Sequence, residues 1–256
     1  MSEMKQTILI TGGSSGIGLA LAKKFLDNDY NVVITGRNLS KLEKVKTDLP
    51  SIHIEQSDVC NEADVKALVL KMEQTFGGID VLFNNAGIMN LVDAGNEEND
   101  LQEMMQEIEI NYNSPIRLTH YFLPQLKKSK NAVLVNTSSG LAYVPFAQAP
   151  IYSGTKSALH FWTLGIRPHL KPHNIRVVEL LPPVVDTPIF DNVGVEGDGS
   201  FKPMPPKKLA DLFWKGFING KDEITPGMSS QLKLMSRLAP KFIFKQLNKQ
   251  PIPKTK

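Results

Sequence analysis

The stretch T-G-G-S-S-G-I-G at residues 11–18 decides the fold class of this chain. It follows a short apolar and β-branched run, Thr7–Thr11, and precedes an amphipathic helical pattern that begins near Ile17. A strand, a glycine turn and a helix in this order bind a pyrophosphate, because glycines let phosphates approach the N–H groups at the positive end of the helix. The residues predicted to form this phosphate-binding turn are Gly12, Ser14, Ser15, Gly16, Ile17 and Gly18.

Outward from this turn, strand-like runs alternate with helical patterns. The further runs are Asn31–Thr35, Ile52–Gln56, Ile79–Phe83, Ala132–Thr137 and Ile175–Leu181. Strands joined by helical crossovers are parallel, and continuously apolar strands suit a sheet that is covered on both faces. The sequence therefore predicts a single α/β domain over residues 1–256, with the doubly wound parallel sheet of the Rossmann fold. In this fold, ligands bind beyond the carboxyl ends of the strands.

Composition narrows the class of protein. With 41% hydrophobic and 21% charged residues in 256 positions, the chain has the make-up of a globular protein with a buried core. Its single cysteine, Cys60, excludes an internal disulfide framework and fits a reducing compartment. No signal sequence opens the chain, and no apolar run reaches the roughly 20 residues that span a bilayer. We therefore expect a cytoplasmic protein without stable membrane insertion.

Charge and histidine spacing exclude two further kinds of partner. A net charge of +3 is too small to imply binding to nucleic acid. The five histidines have no metal-ligand spacing with one another or with Cys60, so we expect no metal site.

Three features of the helices and loops follow from prolines and glycines. The long helical stretch Leu101–Lys128 is expected to bend or break at Pro115 and Pro124, and Pro168 is expected to kink or end the helix that begins at Tyr152. Residues 182–206 have neither a helical nor a strand period, and we interpret them as a substrate loop that forms a mobile lid. A C-terminal helical segment is predicted over about 207–247.

The residues after the second strand indicate which nucleotide binds. A site for NAD(H) carries an acidic residue there, which binds the ribose 2′-hydroxyl. This chain instead has Thr35-Gly36-Arg37-Asn38. Because the planar guanidinium of Arg37 pairs well with phosphate oxygens, the sequence favours NADP(H) over NAD(H).

Tyr152 and Lys156 stand four residues apart at the start of a helix, so both side chains lie on one face. A phenol ordinarily titrates near pH ~10, and a neighbouring ammonium lowers that pKa. Tyr152 is then a candidate acid towards a carbonyl or base towards an alcohol.

Ser139 lies thirteen residues before Tyr152, N-N-A-G occupies 84–87, and Asn111 lies in I-E-I-N-Y-N. With the glycine turn and Lys156, these motifs make the chain resemble the short-chain dehydrogenase/reductase family from Thr11 to about Thr187. The stretch L-L-P-P-V-V-D-T-P, at 180–188, is further similar to the DltE-type oxidoreductases of bacteria. The Pro182-Pro183 pair departs from the Pro-Gly that is frequent in the family.

The resemblance implies roles for single residues. The catalytic residues would be Asn111, Ser139, Tyr152 and Lys156, with Ser138 as a less well spaced alternative to Ser139. The residues that would bind the cofactor are Asp58, Val59, Asn85, Ala86, Gly87, Val185 and Thr187, together with Arg37, the glycine turn, Tyr152 and Lys156. The resemblance also implies that residues 184–206 and Tyr143–Gln148 set specificity, and that the protein is a homodimer or homotetramer.

Three functions remain open on the sequence. The first is an NADP(H)-dependent oxidoreductase that acts on a small carbonyl or alcohol substrate. The second is a non-catalytic nucleotide-binding sensor on the same fold, against which the intact acid/base residues argue. The third is a membrane-surface protein, since Gln231–Leu247 places apolar residues among basic ones. By the resemblance, that C-terminal region instead covers the substrate cleft or builds an oligomer interface.

Overall fold

The structure, a computed structural model, describes residues 5–191 and 202–249. The strands in these ranges are β1 (Thr7–Thr11), β2 (Asn31–Gly36), β3 (His53–Gln56), β4 (Val81–Asn84), β5 (Val133–Thr137), β6 (Arg176–Leu180) and β7 (Glu223–Ile224). The helices are α1 (Gly16–Leu26), α2 (Leu39–Asp48), α3 (Glu62–Phe76), α4 (Leu101–Ile108), α5 (Ser114–Lys128), α6 (Pro150–Leu170), α7 (Pro188–Asp191), α8 (Pro206–Ile218), α9 (Met228–Leu238) and α10 (Pro240–Leu247).

The strands form one parallel sheet in the order β3-β2-β1-β4-β5-β6-β7. This confirms the predicted α/β fold with a doubly wound sheet. After β1 the chain builds outward to β2 and β3, and it then returns to the other side of β1 to form β4. The carboxyl ends of β1 and β4 therefore border the crevice at which such sheets bind ligands.

Two apolar layers cover the sheet, one on each face. Along β1, Ile8 and Ile10 pack into one layer, whereas Leu9 packs into the other. This alternation follows from the period of two residues in a strand, and it explains why the whole of β1 is apolar or β-branched. Phe25 of α1 anchors the first layer, with its ring 5.0 Å from that of Tyr30 and 5.6 Å from that of Phe217.

The long helical stretch is interrupted earlier than its prolines predict. A π-helical turn, Glu109–Asn113, lies between α4 and α5. Pro115 follows it at the start of α5, where a missing N–H is tolerated, and Pro124 lies inside α5 without ending it. The helix that contains Pro168 also continues, to Leu170. The interruption thus arises at Asn111 and its neighbours and not at a proline.

The segment predicted to be an irregular lid has some regular structure. The short helix α7 lies within it, and Val185 pairs with Met204 in a parallel bridge. Residues 192–201 of this segment lie outside the described residues, so the mobile lid stays a prediction. The C-terminal segment contains β7 beside its three helices, and the helical pattern of the sequence did not predict this strand.

Candidate active site

The glycine turn between β1 and α1 lines a cleft of about 460 Å³. Gly12 has a φ of +65°, which favours glycine, and a Cβ there would lie 3.0 Å from the Cα of Ala86. At Gly18, a Cβ would overlap the carbonyl oxygen of Gly12 and lie 2.6 Å from Nδ2 of Asn85. Within the described residues, no side chain caps the first N–H groups of α1. These groups are therefore available to an anion.

Hydrogen bonds between Thr11 and Asn85 fix the ends of β1 and β4 beneath this turn. The Thr11 hydroxyl oxygen accepts the backbone N–H groups of Asn85 and Ala86, each at 3.0 Å. In return, Asn85 Nδ2 donates to the Thr11 carbonyl at 2.9 Å. Asn85, Ala86 and Gly87 all line the cleft, as the resemblance implied. These hydrogen bonds thus fix the carboxyl ends of β1 and β4 relative to each other.

Arg37 lies at the edge of the cleft, where the chain leaves β2. Its side chain is exposed, and its carbonyl oxygen accepts a hydrogen bond from Gln56 Nε2 at 2.9 Å. Lys41, in the first turn of α2, lines the same part of the cleft. The sequence motif did not point to Lys41, although a second basic residue so soon after Arg37 was a usable signal. In the described part of the chain, neither cation forms a salt bridge.

The segments after β3 and β6 complete this part of the cleft. Asp58 and Val59 line it after β3, and an Asp58 carboxylate oxygen accepts the N–H of Cys60 at 2.9 Å. Val185 and Thr187 line it after β6. Thr187 packs against the glycine turn, where a Cβ at position 16 would lie 3.1 Å from its methyl group.

Ser139, Tyr152 and Lys156 meet at the carboxyl end of β5. The Ser139 hydroxyl oxygen accepts the N–H of Leu141 at 3.1 Å, and the hydroxyl lies near enough to Tyr152 to lower its pKa. Lys156 Nζ donates to the carbonyl oxygen of Thr137 at 2.9 Å and lies 5.6 Å from the centre of the Tyr152 ring. The exposed fractions are 7% for Ser139, 9% for Tyr152 and 3% for Lys156. The fold thus gathers three of the four residues that the resemblance singled out as catalytic.

Burial dominates the protonation of this group. It raises the pKa of Tyr152 to about 12, and the neighbouring Ser139 hydroxyl opposes the rise. Burial also lowers the pKa of Lys156 to about 8, against the charges of Glu107 and Glu179. The direction at Tyr152 is opposite to the one expected from a neighbouring ammonium alone, because burial is the largest cause of the shift. Near neutral pH the tyrosine therefore holds its proton, as a proton donor must.

Asn111, the fourth of these residues, lies beside the cleft and not in its wall. Its side chain is fully buried in the π-helical turn. The side-chain oxygen accepts the N–H of Ile88 at 2.9 Å, while Nδ2 donates to the Ile88 carbonyl at 2.8 Å and to the Thr155 hydroxyl at 3.2 Å. The side chain thus joins the segment after β4 to α6. All the other residues named above as catalytic or cofactor-binding, Ser138 included, line the cleft.

A buried polar cluster behind the site was not predicted. Glu179, near the carboxyl end of β6, accepts a hydrogen bond from the Ser138 hydroxyl and binds His160 Nδ1 at 2.9 Å. Ser138 is therefore committed to Glu179, which leaves Ser139 as the serine that contacts Tyr152. An acid within the otherwise apolar run V-V-E-L-L was the available signal for this cluster.

Apolar side chains line the cleft where the chain leaves β6 and where α7, α9 and α10 approach it. Apart from Thr187, the described lining residues there are Pro182, Pro183, Val184, Val185, Pro188, Ile189, Met228, Leu232 and Leu247. The helices α9 and α10 thus form part of the wall of the cleft, which is one of the two roles that the resemblance implied for this region. The segment Tyr143–Gln148, expected to set specificity, does not line it. Its backbone instead binds Asn248, which follows α10.

Residues 5–191 and 202–249 contain neither a metal-ligating cluster nor a membrane-spanning helix. No group of three or more His, Cys, Asp or Glu side chains there is arranged to hold a metal ion. No helix in the same ranges is long and apolar enough to cross a bilayer.

Comparison with known proteins identifies the family. The family model described as short chain dehydrogenase matches residues 6–198. The chain belongs to the short-chain dehydrogenase family. Over 250 residues it is 35% identical to the uncharacterised oxidoreductase DltE of Bacillus subtilis, covering 98% of this chain and 99% of that protein. Both resemblances seen in the sequence are therefore confirmed, and the protein is an oxidoreductase that acts on a CH–OH or C=O group.

Solved structures of short-chain dehydrogenases share the fold. One from Burkholderia cenocepacia, in complex with NADP, has a TM-score of 0.82 and 24% identity, over 96% of this chain and 99% of that chain. Another from Burkholderia phymatum, in complex with NAD, has a TM-score of 0.81 and 21% identity, over 100% of both chains.

The two neighbouring serines allow a matched test of the site. Ser139→Ala removes the hydroxyl that contacts Tyr152, so we expect kcat/KM for an accepted carbonyl to fall by about 10²–10³-fold. Ser138→Ala instead removes the hydroxyl that donates a hydrogen bond to Glu179. It should lower the free energy of unfolding by about 1–3 kcal/mol, because a buried acceptor loses its donor, with kcat/KM within about fivefold of the wild type. Steady-state kinetics and urea unfolding measure both effects. Equal losses of kcat/KM would contradict the role given to Ser139.

Proposed function

We propose that the protein transfers a hydride between the nicotinamide of NADP(H) and a carbonyl or secondary alcohol. One observation carries this proposal: the buried group of Ser139, Tyr152 and Lys156 opens into the same cleft as the glycine turn. A nicotinamide bound in that cleft supplies or accepts the hydride. The residues of the chain bind the nucleotide and the substrate, exclude water and transfer the proton.

The residues of the nucleotide end fit a dinucleotide. A Cβ at Gly12 or Gly18 would collide with neighbouring backbone or side-chain atoms, so a close approach to the backbone is possible only with glycine. The uncapped N–H groups of α1 provide donors and a positive partial charge for a pyrophosphate. Both features support binding of the phosphates at this turn.

The charges at the end of β2 support NADP(H). Arg37 and Lys41 line the cleft, and no acidic residue occupies positions 35–41. The Ser14 hydroxyl adds a neutral donor beside them, since a Cβ at Gly36 would lie 3.6 Å from its oxygen. A 2′-phosphate finds two cations and a hydroxyl in this environment, whereas a 2′-hydroxyl lacks the carboxylate that would bind it.

The proton chemistry follows from the burial of Tyr152. In the reducing direction, its Oη donates a proton to the carbonyl oxygen, while the Ser139 hydroxyl binds the same oxygen. Lys156 gives one N–H to the Thr137 carbonyl, so its other donors remain available for the nicotinamide ribose. In the oxidising direction, Tyr152 must first lose its proton, and the charge of Lys156 favours that loss.

The lining of the cleft supports an uncharged and apolar substrate. Among the described residues, the charged side chains that line it are Arg37, Lys41 and Asp58, at the nucleotide end, and Lys156. The surfaces contributed by α9 and α10 are Met228, Leu232 and Leu247. Burial of each CH₂ group of a substrate against such surfaces contributes about 0.8 kcal/mol. We therefore propose an aldehyde, ketone or secondary alcohol with an aliphatic or aromatic substituent.

A panel of carbonyl compounds tests the function and the substrate class together. With NADPH, kcat/KM should rise about fourfold for each CH₂ added to a straight-chain 2-ketone until the cleft is filled. The matched controls are ketones of equal length that end in a carboxylate, for which this gain should disappear. NADPH oxidation followed by absorbance gives the rates. Faster reduction of the carboxylated compounds would contradict the substrate class, and nucleotide binding without turnover of any compound would favour a sensor.

Replacement of Arg37 tests the choice of nucleotide. The wild type should bind NADPH more tightly than NADH, and Arg37→Asp should reverse the order, because a charge-assisted contact of about 1.5–3 kcal/mol becomes a repulsion. Lys44→Asp makes the same change of charge on α2, away from the cleft, and should keep the wild-type order. Fluorescence titration of the three proteins with each nucleotide measures all six affinities. Equal or tighter binding of NADH by the wild type would remove the argument from Arg37.

A further inference from the structure

Glu107, in the last turn of α4, is a buried acid that the chemistry above does not use. Its side chain has no exposed surface, and within the described residues neither carboxyl oxygen makes a hydrogen bond of normal geometry. The backbone N–H of Asn90 faces it from the segment after β4 and favours its charged form. An acid in such surroundings stays neutral unless a cation lies near.

The cation near Glu107 is Lys156. Glu107 lies in the last turn of α4, directly before the π-helical turn that contains Asn111, and Asn111 Nδ2 donates to the Thr155 hydroxyl of α6. This stretch therefore packs against the part of α6 that carries the catalytic pair. Glu107 and Lys156 act on each other electrostatically, and Glu107 also acts on Tyr152.

The other charged groups near this site are already paired. Glu109, two residues further along, forms a salt bridge with Arg117. Glu179 acts on Lys156 from β6, but it is bound by His160. Residues 85–90, which run past Asn111, include no ionisable side chain. Glu107 is therefore the nearby acid whose charge is not tied to a partner of its own.

We propose that Glu107 is a positioning residue that sets, through its charge, the pH range in which Tyr152 exchanges a proton with the substrate. This inference rests on the function proposed above. Glu107 does not line the cleft, so it acts through the protein interior and not by contact with the substrate. Burial raises the pKa of Glu107 to about 7, and its charge therefore changes within the physiological range.

The direction of the effect follows from the sign of the charge. An ionised Glu107 raises the pKa of Tyr152 and of Lys156, and a neutral Glu107 does not. Glu107→Gln fixes the neutral state. Below about pH 6 the wild type is also neutral at this position, so the two proteins should have the same pH profile. Above about pH 8 they should diverge, because Lys156, whose pKa is about 8 in the wild type, loses its proton at lower pH in the variant and with it the charge that assists Tyr152.

The pH dependence of carbonyl reduction tests this inference. In Glu107→Gln, the fall of kcat/KM at high pH should move down by about one pH unit, the size of shift that a nearby buried charge produces. Glu109→Gln is the matched control, since it removes the same charge from the following turn and should leave the profile unchanged. Glu107→Asp keeps a carboxyl group, so its kcat/KM should fall at the same high pH as in the wild type. This variant controls for a general effect of substitution at position 107.

A measurement without turnover separates this inference from the proposed function. The infrared carbonyl stretch of a protonated carboxylic acid should appear in the wild type as pH falls through about 7, and it should be absent from Glu107→Gln. If Glu107→Gln loses no titrating band, Glu107 holds no exchangeable proton in the wild type. The inference then fails, regardless of which substrate the enzyme reduces. The inference would also be overturned if the infrared band titrated but the wild type and Glu107→Gln had the same pH profile of kcat/KM. A protein that reduces no carbonyl contradicts the proposed function, while the infrared band still reports on Glu107.

Discussion

The burial of Lys156 is the constraint on which the rest of the site depends. Removing an ammonium from water costs several kcal/mol, and this side chain is only 3% exposed. One N–H is accepted by the Thr137 carbonyl at 2.9 Å, and the negative charges of Glu107 and Glu179 favour the charged form. These partners come from β5, α4 and β6, so the lysine can be tolerated only when the three elements are assembled around α6.

Each partner of the lysine needs an environment of its own. Glu179 interrupts the apolar pattern of β6, and it is accommodated there because His160 and the Ser138 hydroxyl bind it. That contact turns Ser138 away and leaves Ser139 beside Tyr152. The nucleotide end depends on a different principle, since it uses backbone N–H groups and the absence of side chains at Gly12 and Gly18. The buried polar group of Ser139, Tyr152 and Lys156 and the exposed backbone of the glycine turn thus lie in one cleft.

The sequence predicted what local patterns determine. The alternation of apolar strands with amphipathic helices predicts the parallel sheet, and the spacing of the glycines predicts the turn after β1, because both depend on residues close together in the chain. The break in the helix before α5 was assigned to Pro115 and Pro124. It lies instead at a π-helical turn whose geometry depends on the contact of Asn111 with Ile88, twenty-three residues away in sequence.

Contacts between distant segments explain the other differences. β7 has two residues, too few for a period, and only its pairing with β6 makes it a strand. Glu107 lies in an amphipathic helix, where an acid ordinarily faces solvent, and its burial follows from packing against α6. The direction of the Tyr152 pKa shift also depends on burial, which spacing along a helix does not report.

The central claim is that different residues of one cleft bind the nucleotide and transfer the proton. Substitution of Tyr152 tests this claim most directly. Nucleotide affinity and turnover are to be measured on the same preparations of the wild type, Tyr152→Phe and Lys156→Ala. Tyr152→Phe should bind NADPH within about threefold of the wild type and lose roughly 10²–10⁴-fold in kcat/KM, the usual contribution of an acid/base group. Lys156→Ala should lose both, because it removes a ribose contact and a charge. If Tyr152→Phe kept most of the wild-type rate with an accepted carbonyl, the account would be contradicted.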